Sequence, residues 1–147
     1  MKAENIKRAI AMTKMEKTEK SKRTSENEGV KGIVSVLFHS KVQVHVFHLQ
    51  TQSYAEHMAL NGFYTEIEDL IDGLVESYQG KYGIIESYES YPIEKYVSKA
   101  KLITYFEWMC EEVEEYRTSV TDSYLQNQID TIIELIESTK YKIKFLS

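Results

Sequence analysis

The chain has 147 residues with 23 acidic and 18 basic side chains, a net charge of −5, which is one domain by size with room for a sizeable core. One proline, six glycines and one cysteine favour an all-helical protein and exclude an internal disulfide. No apolar run is long enough to span a membrane, and the N-terminus has no apolar signal-peptide core. The protein is therefore expected to be cytosolic, or packaged by a cell or virus.

Charge is unevenly spread. Residues 1–23 carry eight basic and three acidic side chains, a net of +5, and the other residues carry ten basic and twenty acidic, a net of −10. Residues 1–28 lack a strong apolar period, so they are expected to form a mobile basic arm, with a frayed helix near Ile6 to Met15. The arm offers Lys2, Lys7, Arg8, Lys14, Lys17, Lys20, Lys22 and Arg23 as contacts for an anionic polymer, most simply DNA phosphate. A solvated leader without a partner is the alternative.

Residues 29–147 are expected to form the folded domain. Ile33, Leu37, Val44 and Phe47 give one apolar stripe on a first helix, and Val34, Phe38, Val42 and Val46 widen it. A helix apolar on most sides is buried on most sides, by an oligomer or a central place in a bundle. Gln50 to Ser53 break the pattern. Ser53 is a candidate N-cap, with Glu56 completing a capping box. The second helix then runs to about Tyr78, with Leu60, Phe63, Ile67, Leu70, Ile71 and Leu74 inward, and Gly80 and Gly83 stop it. Residues 79–97 read as a tyrosine-rich connector containing Pro92. A third helix is expected from about Ile93 to Thr118, and a fourth from about Asp122 to Phe145. Cys110 falls at an apolar helix position and reads as a buried structural thiol.

The connector is long enough, at about 60 Å extended, to cross a bundle whose helices are about 38 Å long. That favours an all-α, ferritin-like four-helix bundle with one long crossover between the second and third helices. A simple up-down-up-down bundle is the alternative.

His48, His57, Asn61, Asp72 and Glu76 are the candidate metal ligands. This mixture of imidazole and oxygen donors suits iron, zinc or manganese. His57 and Asn61 are four residues apart, as are Asp72 and Glu76, so each pair shares a helix face. All four are expected on one flank of the second helix, beside its core stripe. His57 and Asp72 lie about 22 Å apart along the axis, so one ion cannot bind both within one chain. His48 can approach His57 across the turn. A two-fold dimer with antiparallel second helices would set this histidine pair against the carboxylates of the neighbour. Two histidines beside an acidic helix face also arise by chance. The chain has no Glu-x-x-His motif of the usual di-iron bundle. It has no phosphate loop or nucleophile motif either. His39 and His45 read as packing or interface residues. Most of the eleven tyrosines read the same way, with Tyr54 and Tyr64 near the histidines.

From Phe47-His48 to Glu76 the chain resembles the Dps family, the mini-ferritins that protect DNA in starved cells. Phe47-His48 matches the end of that family's first helix, His57 its second histidine, and Asp72 and Glu76 its acid pair 15 and 19 residues further on. The segment His48 to His57 also resembles small phage-encoded proteins. The resemblance implies a homo-oligomer, usually a dodecamer built from dimers, with Fe(II) oxidised by peroxide or oxygen at the dimer interface and ferric iron stored inside. Asn61 stands where the family has an acid, Leu49 replaces its tryptophan, and the link between the histidines is three residues shorter. A catalytically silent oligomeric scaffold, structural or DNA-binding, is the alternative function.

Overall fold

A computed structural model describes residues 2–146. They form four helices, α1 (Lys2–Gln50), α2 (Tyr54–Tyr82), α3 (Lys99–Arg117) and α4 (Ser123–Phe145). The expected all-helical bundle is the observed one. α1 packs on α2 and α3, and α4 packs on the same two, while α1 does not meet α4 and α2 does not meet α3. Val30, Ile33, Leu37 and Val44 of α1, Leu60, Phe63, Ile67 and Leu74 of α2, Phe106 and Met109 of α3, and Leu125, Ile129 and Ile136 of α4 fill the interior.

The turn after α1 is closed by Thr51 N–H donating to the Phe47 carbonyl at 2.9 Å. Ser53 caps α2, its hydroxyl accepting from Glu56 N–H at 3.3 Å. The expected capping box is only half formed, because the Glu56 carboxylate does not reach back. It is buried and accepts instead from the Thr51 hydroxyl at 2.5 Å and the Tyr96 hydroxyl at 2.8 Å. α2 runs past Gly80 and stops at Gly83, which supplies the positive φ of 94° that a side chain would disfavour.

α3 begins at Lys99, later than the sequence pattern near Ile93 suggests, with the Ser98 hydroxyl accepting from Lys101 N–H at 3.2 Å. Residues 83–98 stay extended because their backbone groups are taken by side chains of α1. Glu89 N–H donates to Ser35 at 2.9 Å, and His39 Nε2 donates to the Pro92 carbonyl at 3.0 Å. Gln43 pairs with both the N–H and the carbonyl of Glu94, each at 2.7 Å, and Gln50 accepts from Tyr96 N–H at 2.6 Å. Ser35, His39 and Gln43 are spaced four apart, so they form one polar stripe on α1. The connector climbs that stripe from the Gly83 end of the bundle to the histidine end. It is therefore a full-length crossover, and the up-down-up-down alternative does not hold.

The expected arm is helical over Lys2 to Glu28, and not only near Ile6 to Met15. α1 is one unbroken helix from Lys2 to Gln50, and residues 3–21 project beyond the bundle with their side chains exposed. Packing on the body starts near Lys22. Gly29 and Gly32 let the end of α3 approach closely, since a Cβ at residue 32 would lie 2.4 Å from the Tyr116 ring. Beside them Glu26, buried, accepts from Thr121 N–H and hydroxyl, both at 2.6 Å, and from Asp122 N–H at 3.1 Å.

Candidate metal centre

His48 at the end of α1 and His57 in the first turn of α2 face each other across the three-residue turn. Their rings stack with centroids 3.7 Å apart and planes 24° apart. His48 Nδ1 lies 2.9 Å from the His57 carbonyl, and His57 Nδ1 lies 3.0 Å from the His48 carbonyl. A carbonyl only accepts, so each Nδ1 carries its proton. In a neutral ring so bonded Nε2 is the lone pair, the form that binds a metal. His48 is buried, His57 half-buried.

The expected pairing of the histidines is present, but the stack limits what they do together. With centroids 3.7 Å apart and planes inclined 24°, the ring planes meet no nearer than roughly 8 Å if the rings are face to face, well beyond the ~2 Å of an imidazole–metal bond. One ion cannot lie in both ring planes, so an ion held by one ring would not be shared with the other.

The other candidates are placed differently. Asn61 is half-buried, one turn after His57, and its Oδ1 accepts from the Tyr64 hydroxyl at 3.0 Å. Tyr64 stacks on His45 with centroids 4.3 Å apart and meets His48 edge-on at 5.2 Å. Asp72 and Glu76 are exposed, so the expected flank beside the core holds for His57 and Asn61 and not for them. No ion pair or hydrogen bond engages either carboxylate among the described residues. Nor does any group of three or more His, Cys, Asp or Glu side chains assemble as a metal site among those residues. His39 is a packing residue as expected, with the Tyr105 hydroxyl donating to its Nδ1 at 2.9 Å.

Of the eight basic candidates in the arm, two are used by the body. Lys22 pairs with Asp122 at 3.0 Å, and Arg23 donates to the Tyr82 carbonyl at 2.6 Å. Lys7, Arg8, Lys14, Lys17 and Lys20 are exposed on the projecting helix. The Lys2 side chain lies outside the described ones.

The Family of unknown function (DUF5856) matches residues 48–143. The chain belongs to that family. The match starts at His48 and takes in every candidate metal ligand, while the projecting part of α1 lies outside it. No curated protein matches the chain.

In this DUF5856 member two groups matter that the sequence reading passed over. Glu56, with Thr51 and Tyr96, ties the histidine turn to the crossover. Its only sequence signal was the capping pattern. Asp122 ties the opposite end of the bundle. It accepts from Lys22, from Lys81 at 2.9 Å and from the Tyr82 hydroxyl. Burial disfavours its charge, but the hydrogen bonds from Lys81, Tyr82 and Lys22 outweigh that and hold its carboxyl at about 2. Cys110 is buried, as expected. Burial first, and a hydrogen bond to Glu137 second, push its thiol up to about 12, which leaves it inert as a nucleophile at neutral pH.

Proposed function

We propose that this protein is a Dps-like mini-ferritin that oxidises Fe(II) at sites shared between subunits and holds the ferric product inside a homo-oligomer, a dodecamer built from dimers. The observation that carries this reading is the reciprocal locking of His48 and His57, which leaves two pre-set Nε2 lone pairs at one turn. The single full-length crossover is the connectivity of ferritin-like bundles and points the same way.

Self-association is supported by the surface around the turn. Phe38, Val42 and Leu49 on α1, with Tyr54 and Met58 on α2, are large apolar side chains left exposed, an arrangement typical of a surface that another chain covers. Asp72 and Glu76, without partners among the described residues, are available as donors to a neighbouring copy. In a two-fold dimer with antiparallel α2 helices, the carboxylates of each copy come against the histidines of the other.

Fe(II) is the substrate. Two Fe(II) ions each lose one electron, peroxide takes both, its O–O bond breaks, and with two protons its oxygens leave as water. The Nδ1–H bonds hold His48 and His57 in orientation, while Asp72 and Glu76 supply the negative charge that favours Fe(III). The donor set also suits zinc or manganese. The compartment implied is the cytoplasm of a cell or of a phage host.

Stopped-flow absorbance after mixing Fe(II)-loaded protein with peroxide tests this. Wild type should oxidise iron faster than a protein-free blank, and His57→Ala should approach the blank. A wild type that matches the blank ends the ferroxidase reading. An oligomeric scaffold without redox chemistry is then the second reading. It is favoured by Asn61, an amide already engaged by Tyr64.

A further inference from the structure

Among the described residues, nothing packs on the projecting part of α1, whose residues 3–21 are exposed. Isolated helices of this length are marginal in water, and α1 exposes Ile6 at 59% and Ile10 at 51% there. At 3.6 residues per turn, Ile6, Lys7, Ile10, Lys14 and Lys17 fall within about 100° of one another with no glutamate among them, while Glu4, Glu16 and Glu19 fall on the opposite side together with Arg8. The helix therefore presents an unpartnered face of two isoleucines flanked by three lysines.

The body carries the opposite charge. One uncompensated block is on α3, where Glu107, Glu111, Glu114 and Glu115 are exposed on one face at spacings of 4, 7 and 8 residues. None of these carboxylates is in an ion pair or hydrogen bond among the described residues, whereas Glu68, Glu89, Asp130 and Glu137 each have a basic partner. The α3 stripe spans about 12 Å, and Lys7 to Lys17 span about 15 Å. Exposed Ala100 and half-buried Ile103 lie on the same α3 face, one to two turns before Glu107, and offer apolar surface to Ile6 and Ile10.

The contact cannot form within one chain. Gly29 is level with Tyr116 at the end of α3, and Lys17 lies about 18 Å beyond that level along an unbroken helix, heading away from the acidic stripe. We infer that the basic face of the α1 extension docks on the α3 carboxylate stripe of a second copy of this chain. Each copy then gives one extension and receives one. Several weak surface pairs, each modest alone, act together because the helix presents them at once. The inference is independent of the metal chemistry, since it uses neither the histidines nor Asp72 and Glu76.

The test uses the full chain. Equal parts of ordinary and 15N-labelled protein are cross-linked with a carbodiimide, which joins lysine to carboxylate at contact distance. Mixed-isotope peptides linking Lys14 or Lys17 to Glu111 or Glu114 are expected, and their absence overturns the inference. In sedimentation, the triple variants K7E/K14E/K17E and E107K/E111K/E114K should each weaken association about tenfold, with helical circular dichroism retained. Combining the two sets should restore it, which loss of folding cannot do. Association unchanged by either set, or not restored by the combination, refutes the contact. If reversing the lysines abolishes a DNA mobility shift and leaves association untouched, the face belongs to phosphate instead.

Discussion

The stack of His48 on His57 makes a prediction about stoichiometry. With ring centroids 3.7 Å apart and planes inclined 24°, an ion about 2 Å from one Nε2 and in its ring plane lies about 2 Å out of the plane of the other ring. The lone pairs cannot converge, so each ring should hold its own ion. The hydrogen bonds sharpen this. His48 Nδ1 donates to the backbone carbonyl of residue 57, and His57 Nδ1 to that of residue 48. Replacing either ring by alanine leaves the carbonyl in place, so the surviving histidine keeps its tautomer and aim. Loss of such an outer hydrogen bond usually costs 10–100-fold in metal affinity, and here none is lost. Titration of the metal-free protein with Co(II), followed by its visible absorbance, should saturate at two ions per histidine pair. His48→Ala and His57→Ala should each saturate at one, with affinity for the remaining ion within about tenfold, or 1.4 kcal/mol, of wild type. The double variant should bind none there. If either single variant loses all binding, the rings converge on one ion and the stacked geometry is not the binding geometry. If both match wild type, the pair is not a metal site.

Asp122→Asn tests the opposite end of the bundle. The Asp122 carboxyl is depressed from 3.8 to about 2, so its contribution is fully present above the unfolded value and is lost as pH falls through that window. The shift corresponds to at most about 2 kcal/mol, reduced to about 1 kcal/mol because Lys22 and Lys81 remain in contact with water. Urea midpoints should separate wild type from variant at neutral pH and converge near about pH 2, and a gap independent of pH would refute the assignment. Gly32→Ala forces a methyl against the Tyr116 ring at 2.4 Å. It should destabilise the fold by roughly 1–3 kcal/mol through overpacking, and an unchanged melting temperature would show that the approach is looser. Asn61→Asp keeps an acceptor for Tyr64 and adds a charge, so Fe(II) affinity or oxidation rate should rise. A fall in both, measured by titration and stopped flow, would remove residue 61 from the site.

Much of this protein is local in origin and therefore legible in the sequence. The apolar periods mark where helices run, Ser53 and Gly83 mark where α2 starts and stops, and the spacing of His48 and His57 about a three-residue turn brings their rings together. Each depends on neighbours along the chain and on helix geometry, so order alone determines it. The length of the connector similarly foretold a crossover. What the sequence could not decide depends on groups distant along it. The Pro92 segment looked helical from residue 93, but Ser35, His39, Gln43 and Gln50 take the backbone bonds that a helix there would need. The arm looked loose because it lacks an apolar period, yet it continues a helix nucleated by the packed part of α1, where adding a turn needs no new nucleus. Asp72 and Glu76 had the right spacing from His57, but spacing sets only their place along α2. Which way they face was decided by Leu60, Ile67, Ile71 and Leu74 turning inward onto the other helices, and that burial leaves the two carboxylates in solvent.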